Sequence, residues 1–373
     1  MATRTTLKAT AVGSVSALAL AAMATSAHAD ERVELYGLID IGLESYSADS
    51  DAPGFDDDGL GGGRFMFPGF NSTAGNTDDR DFTLSNGMTS RIGVRGGEDL
   101  TDNLRASYNI ELQMDVLNEG ENAQNTRLGW AALSGDWGMT KIGTQWMALY
   151  EFGGWNTHRT DVHGYGTYYY TTEVLRDSAA YGFRQSSAIS YQYGSAWGHS
   201  DPFAFNITAG IGEGDDNENG VSSLQAAAQY TFAGNISVNA VVFQEFVDGP
   251  EDDDEATLYN LGARWNVTPD LELAANYTLV DDGSDEDSDR DSIALAAMYN
   301  FGQGWDGHLG VSTASSDNDA LADIDANVYG FVRHSFTDRT NARLEFEHID
   351  YDDSDVADSS SETIGMVALQ HNF

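Results

Sequence analysis

From Val33 onward the chain alternates apolar and polar side chains with a period of two. Val33, Leu35, Gly37, Ile39, Ile41 and Leu43 fall on one face and Glu34, Asp40 and Glu44 on the other, a spacing that suits a strand and no helix. The alternation returns at Leu104, Ala106, Tyr108, Ile110, Leu112 and Met114, with Arg105, Ser107, Asn109, Glu111 and Gln113 between them. It returns again over 271–279, 293–301 and 342–346. The connections alternate too, in length: short ones at 99–103, 135–138, 233–235, 267–270, 302–304 and 337–341 are separated by long acidic ones. Short turns at one end and long loops at the other mark a bacterial transmembrane β-barrel.

The rule predicts sixteen antiparallel strands. They begin near Val33, Ser90, Leu104, Asn125, Met139, Arg184, Phe203, Val221, Ile236, Ala256, Leu271, Ser292, Gly307, Ala326, Ala342 and Thr363. An even number brings both ends of the barrel to the periplasmic side. A soluble sandwich would also alternate, but many of these strands end in Tyr or Trp, as interfacial girdles do: Trp130, Trp146, Tyr191, Tyr259, Trp265 and Tyr299.

Composition narrows the class further. Arg4 and Lys8, an alanine-rich run from Ala9 to Ala24 and then Ala27-His28-Ala29 form an export signal, so residues 1–29 are excluded from the fold and 30–373 are expected to close as one barrel. Removing the signal takes two of 18 Lys+Arg and none of 60 Asp+Glu, so the exported chain carries 16 − 60 = −44, a charge that repels nucleic acid. With no cysteine there is no disulfide framework, thiolate metal site or cysteine nucleophile. Past the signal no run of eighteen apolar residues exists to make a membrane helix. The mean hydropathy of −0.38 does not count against a barrel, whose strands are only half apolar.

Four stretches resemble the Gram-negative general porins, the trimeric sixteen-stranded family. Val33-Glu34-Leu35-Tyr36-Gly37-Leu38-Ile39-Asp40 is similar to the family's first strand, and Ser90-Arg91-Ile92-Gly93-Val94-Arg95-Gly96-Gly97-Glu98-Asp99-Leu100 to its SRxGxxGxEDL strand and turn, the most specific match. Leu133-Ser134-Gly135-Asp136-Trp137-Gly138 with Ile142-Gly143 is similar to its LSGxFG hairpin. Val367-Ala368-Leu369-Gln370-His371-Asn372-Phe373 is similar to its last strand, whose terminal phenylalanine the barrel-assembly machinery recognises. The resemblance implies a homotrimer in the outer membrane, set among lipid and lipopolysaccharide, that passes ions and small polar solutes and requires no cofactor or metal.

Selectivity is expected to be set within 146–181, a connection too long for a turn and rich in aromatics. Glu151-Phe152-Gly153-Gly154 resembles the family's PEFGG motif in the third loop, which folds into the barrel and narrows it; Tyr150 replaces the usual proline. Glu151 and Asp161 are the loop's candidate constriction carboxylates, with Glu173, His158, Arg159 and His163 beside them. Carboxylates in a pore favour cations, which predicts a weak cation preference. Arg91, Arg95, Arg105, Arg127, Lys141 and Arg184 all lie between the second and sixth strands at positions of lumen parity; Arg264, Arg333 and Arg343 keep that phase later. A lipid-facing arginine costs about 2–4 kcal/mol at the midplane, so parity alone shows placement. Their clustering suggests more: the resemblance implies a basic wall facing an acidic loop, with a transverse field between them.

Other signals lead away from chemistry. Asp285-x-Asp287-x-Asp289 opens like a calcium loop, but Arg290 stands where its glycine belongs and Ala296 where its bidentate glutamate belongs. No H-E-x-x-H or G-x-S-x-G occurs, so a catalytic barrel such as a phospholipase is disfavoured. A substrate-specific channel and a plugged adhesin or structural barrel stand as alternatives.

Overall fold

The computed structural model describes residues 32–48, 80–117, 126–154, 164–172, 178–179, 183–196, 201–212, 220–246, 256–281, 289–318, 322–352 and 360–373. The expected export signal, residues 1–29, and most of the long acidic connections lie outside these residues. Sixteen strands span the barrel: β1 (Arg32–Ala48), β2 (Arg91–Thr101), β3 (Leu104–Gln113), β4 (Thr126–Gly135), β5 (Gly138–Trp146), β6 (Arg184–Tyr193), β7 (Phe203–Gly210), β8 (Ser223–Phe232), β9 (Ile236–Glu245), β10 (Thr257–Thr268), β11 (Leu271–Asp281), β12 (Arg290–Gly302), β13 (Trp305–Ser316), β14 (Ile324–Thr337), β15 (Thr340–Tyr351) and β16 (Ser360–Asn372). All begin within three residues of the predicted starts. Two short segments, Arg80–Ser85 and Ser178–Ala179, add partial pairings beside β1 and β6.

Each strand pairs antiparallel with the next, and β1 closes the sheet on β16 from Leu38↔Asn372 to Ala48↔Glu362. The seam is completed by Phe373, which exchanges two 3.0 Å backbone hydrogen bonds with Gly37. A closed ladder leaves no edge strand, so no row of backbone groups is left open to the lipid. The turn from β8 to β9 shows how tightly the periplasmic ends are made: Ala233 and Gly234 take φ of +48° and +74°, the left-handed region that glycine adopts at no cost.

Burial alternates along regular strands such as β8, where Ser223, Gln225, Ala227, Gln229 and Thr231 are buried while Leu224 and Tyr230 are exposed. The exposed set faces lipid and includes Ile142, Ile207, Leu261, Leu295 and Leu344. At the periplasmic ends it becomes aromatic, with Phe232, Trp265, Tyr299, Phe301, Trp305, Phe336 and Phe373. Trp130 and Trp146 do not belong to this girdle. Trp130 is the register partner of Asn109 on β3, an inward position, and Trp146 packs against the inward loop.

Candidate functional site

The chain leaving β5 turns into the barrel. Met147 donates its amide to the Phe183 carbonyl at 2.9 Å, and Leu149–Gly154 form a single π-helical turn. Met147, Leu149 and Phe152 are wholly buried. The reason is beneath them: Ala227, Val241, Phe243, Leu258, Val280, Ala314, Ile324 and Ile349 are apolar although they occupy inward positions of β8–β15, and they form one cluster with the loop. A polar lumen that carries an apolar patch needs a lid for it, and removing that area from water holds the loop down.

Hydrogen bonds fix the docking position along that wall. The Leu149 amide reaches Gln225 Oε1 on β8 at 3.4 Å. After residues 155–163, which lie outside the described set, the chain returns as α1 (Gly166–Thr172). Here the Gly166 amide donates to Glu347 Oε1 at 3.2 Å, Thr167 Oγ1 to Ser312 Oγ at 2.9 Å, and Arg290 to the Tyr170 carbonyl at 2.6 Å. Gly153 and Gly164 sit where a Cβ would strike Asn260 and Tyr329. Tyr150, Tyr165, Tyr168 and Tyr169 pack around Phe183 with ring centres 4.7–5.5 Å apart.

Across the barrel stands the wall of β2–β6. Glu111 on β3 accepts Arg127 Nε at 2.8 Å, lies 4.0 Å from Arg91 and also accepts the Tyr36 hydroxyl at 3.1 Å. The Arg127 and Arg184 guanidiniums lie 5.8 and 5.7 Å from the Trp146 ring centre, within cation–π range. Trp146 in turn packs tilted against Tyr150, ring centres 4.9 Å apart. Burial pushes the Tyr150 phenol up to about 12; a hydrogen bond with Tyr165 and then the charges of Arg127, Arg91 and Arg184 pull the other way. Three arginines thus converge on one carboxylate and one tyrosine. Lys141 is buried on β5 with its ammonium 5.9 Å from the Trp130 ring. Among the described residues, neither Lys141 nor Arg184 has a carboxylate within ion-pair distance.

Arg127 reaches this cluster through a bulge. β4 pairs Glu111↔Leu128 and then Leu112↔Thr126, so Arg127 is the extra residue. The regular phase of β4, read from exposed Ala131 and Leu133, would send residue 127 to the lipid. A bulge re-aims a side chain in this way. A second register shift, with Ser187 at φ +48°, separates Arg184 from the regular part of β6.

The other predicted residues lie elsewhere. Arg95 pairs with Glu34 and Arg105 with Asp99, both pairs largely exposed towards the periplasmic end. Glu151 is in the π-helical turn with 4% of its surface exposed. Asp161, Glu173, His158, Arg159 and His163 lie outside the described residues. Arg264, Arg333 and Arg343 are inward and ion-paired, with Glu272, Asp306 and Asp40 respectively. Glu111 was read as a lumen position but not as a site residue; the arginines flanking it at inward positions on both neighbouring strands were the signal.

The Gram-negative porin family matches residues 16–354. The chain belongs to that family. Porins are non-enzymatic channels for solute diffusion, and this one resides in the outer membrane. Its barrel is similar to an anion-selective porin from Comamonas acidovorans, with a TM-score of 0.72 at 18% identity over 92% of this chain and 100% of the other. It is similar to the trimer form of OmpT from Vibrio cholerae, with 0.60 at 15% over 92% and 100%. OmpF of Salmonella typhi, solved with daunomycin, gives 0.62 at 16% over 91% and 97%. At these identities the likeness is one of fold. No curated protein matches the chain.

Proposed function

We propose that this porin, once residues 1–29 are removed, forms a homotrimer for passive diffusion of ions and small hydrophilic solutes, with a weak cation preference set at its acidic outer mouth. The observation that carries the proposal is the pair of unlike lumen walls. A loop is fastened by apolar contacts to β8–β15, and Arg91, Arg127, Arg184 and Lys141 gather with Glu111 on β2–β6. A dipolar solute passing between them is turned by that positive wall; Asp161 and Glu151 are the loop carboxylates proposed to answer it. The net charge that remains after removal, 16 − 60 = −44, lies chiefly in the outer connections, which concentrate cations before the constriction is reached. Placement of Phe373 at the seam supports its use by the barrel-assembly machinery, and the lipid-facing surface supports contact with lipid and lipopolysaccharide.

Planar-bilayer recording tests this. The expected result is ohmic conductance with a reversal potential on the cation side under a potassium chloride gradient at low salt, shrinking as salt screens the mouth. No conductance would leave a plugged barrel; a clear anion preference would show that the arginine wall, not the mouth, governs selectivity.

A further inference from the structure

Between the short segment Arg80–Ser85 and β2 the chain leaves the sheet. The β1 ladder runs from Leu38↔Arg91 directly to Gly42↔Ser85, so β1 spends three residues, 39–41, where the opposite chain spends five, Asn86–Ser90. The surplus goes inward. Asn86, Gly87, Thr89 and Ser90 are buried, Gly87 against Asp40 of β1 and Arg343 of β15 and Ser90 against Asp40, and only Met88 is partly exposed. Its side chain packs on Met366 and Ala368, both inward residues of β16.

The fold-in is clamped from both sides. Ser90 Oγ accepts the Asp40 amide at 3.1 Å in place of a lost ladder bond, and the Met114 amide donates to the Ser90 carbonyl at 2.7 Å. Asn86 Nδ2 donates to Asp115 at 3.1 Å. Gly87 lies so close to the wall that a Cβ would fall 2.3 Å from Asp40 Oδ1 and 2.8 Å from an Arg343 nitrogen. Those two side chains form an ion pair at 2.8 Å with no exposed surface on either, and Gln370 donates to the same carboxylate. A bare ion pair of this kind on the wall of a water-filled channel would be wet; here the five-residue fold covers it.

Met88 is therefore held between the buried pair and the arginine cluster, and Arg91 donates to its sulfur at 3.2 Å. We infer that Asn86–Ser90 is a second inward constriction element, and that Met88 sets the width of the eyelet on the arginine side and holds Arg91 in place. This rests on the channel reading above. An unbranched thioether suits the position because it fills an irregular gap and adapts to what passes.

The experiment compares Met88→Ala, Met88→Trp and a control, Met298→Ala, near the periplasmic end, as full-length trimers checked by heat-modifiable migration. Single-channel conductance and the permeation of a graded series of neutral sugars are read. The inference predicts a rise in conductance and in the largest sugar admitted for Met88→Ala, a fall in both for Met88→Trp, and no change for the control. If all three behave as wild type, or if the control moves as far as the Met88 variants, the inference is overturned while the channel reading stands. Wild-type protein that does not conduct would overturn both.

Discussion

Glu111→Gln removes the one carboxylate shared by Arg91 and Arg127 and adds no bulk. A monovalent ion passing about 8 Å from a unit charge in water feels about 0.5 kcal/mol, and a Debye length of about 10 Å at 0.1 M salt roughly halves that. The cation loses this attraction and the anion loses an equal repulsion, so their difference shifts by about 0.5 kcal/mol. The cation-to-anion permeability ratio should then fall about twofold. In 1 M salt, where the Debye length is about 3 Å, the shift should vanish. Arg127→Gln should move the ratio by a similar amount in the opposite direction. The substitution also costs stability, because Arg127 and Glu111 are 8% and 7% exposed; breaking a buried pair costs about 3–5 kcal/mol, and the amide oxygen left behind keeps this at the lower end. Reversal potentials at both salts, on protein shown to be folded, provide the assay. A ratio unchanged at 0.1 M, or an equal shift at both salts, would refute the assignment of Glu111 to the eyelet.

Asp40→Asn should lower the unfolding temperature of the porin through loss of a buried pair worth about 3–5 kcal/mol, partly offset because Arg343 keeps Glu345 at 2.9 Å; adding Arg343→Met should recover part of the loss. Gly143→Ala should abolish the heat-modifiable band, since residue 143 has φ +123° and a Cβ there would lie 2.1 Å from the Gly129 carbonyl. Asp323, in the outer turn before β14, has its carboxyl raised by burial and then by Asp352, Asp325 and Asp291, against a hydrogen bond from the Ser316 amide. A raised folded-state value means the protonated form is favoured when folded. Stability contributed there is full below about pH 4 and is lost as pH rises through the raised value; Asp323→Asn should flatten that part of a melting-temperature profile, and an unaltered profile would contradict it.

The strands were legible because lipid imposes one rule along their whole length: every second residue must be apolar. The same rule made the arginines legible as inward residues. It failed where the sheet departs from regular pairing. By simple counting Trp130 reads as a girdle residue and Arg127 as lumen-facing; both point inward because Arg127 is itself the extra residue of a bulge and the phase of β4 shifts by one beyond it. Of Asn86–Ser90 only Ser90 was read, as the start of the second strand, since nothing in Asn-Gly-Met-Thr-Ser announces that the ladder skips these residues. One informative signal was present in the sequence and lay unused: Val241, Phe243, Leu258, Val280, Ile324 and Ile349 are apolar at lumen parity, which marks the side of the barrel on which the inward loop lands.

Register also decides which positive charges act on a passing solute. Arg95↔Glu34, Arg105↔Asp99 and Arg333↔Asp306 are directly opposed residues on neighbouring strands, the arrangement in which cross-strand charges pair. Their fields cancel at short range, whatever their parity. Arg127, as the surplus residue of a bulge, has no directly opposed residue, and Arg184 is opposed to Trp146. Both therefore reach across the wall, Arg127 to the carboxylate that Arg91 also approaches. The arginines directly opposed to a carboxylate are neutralised by it, and two of the four charges in the positive wall, Arg127 and Arg184, are placed where the alternation breaks.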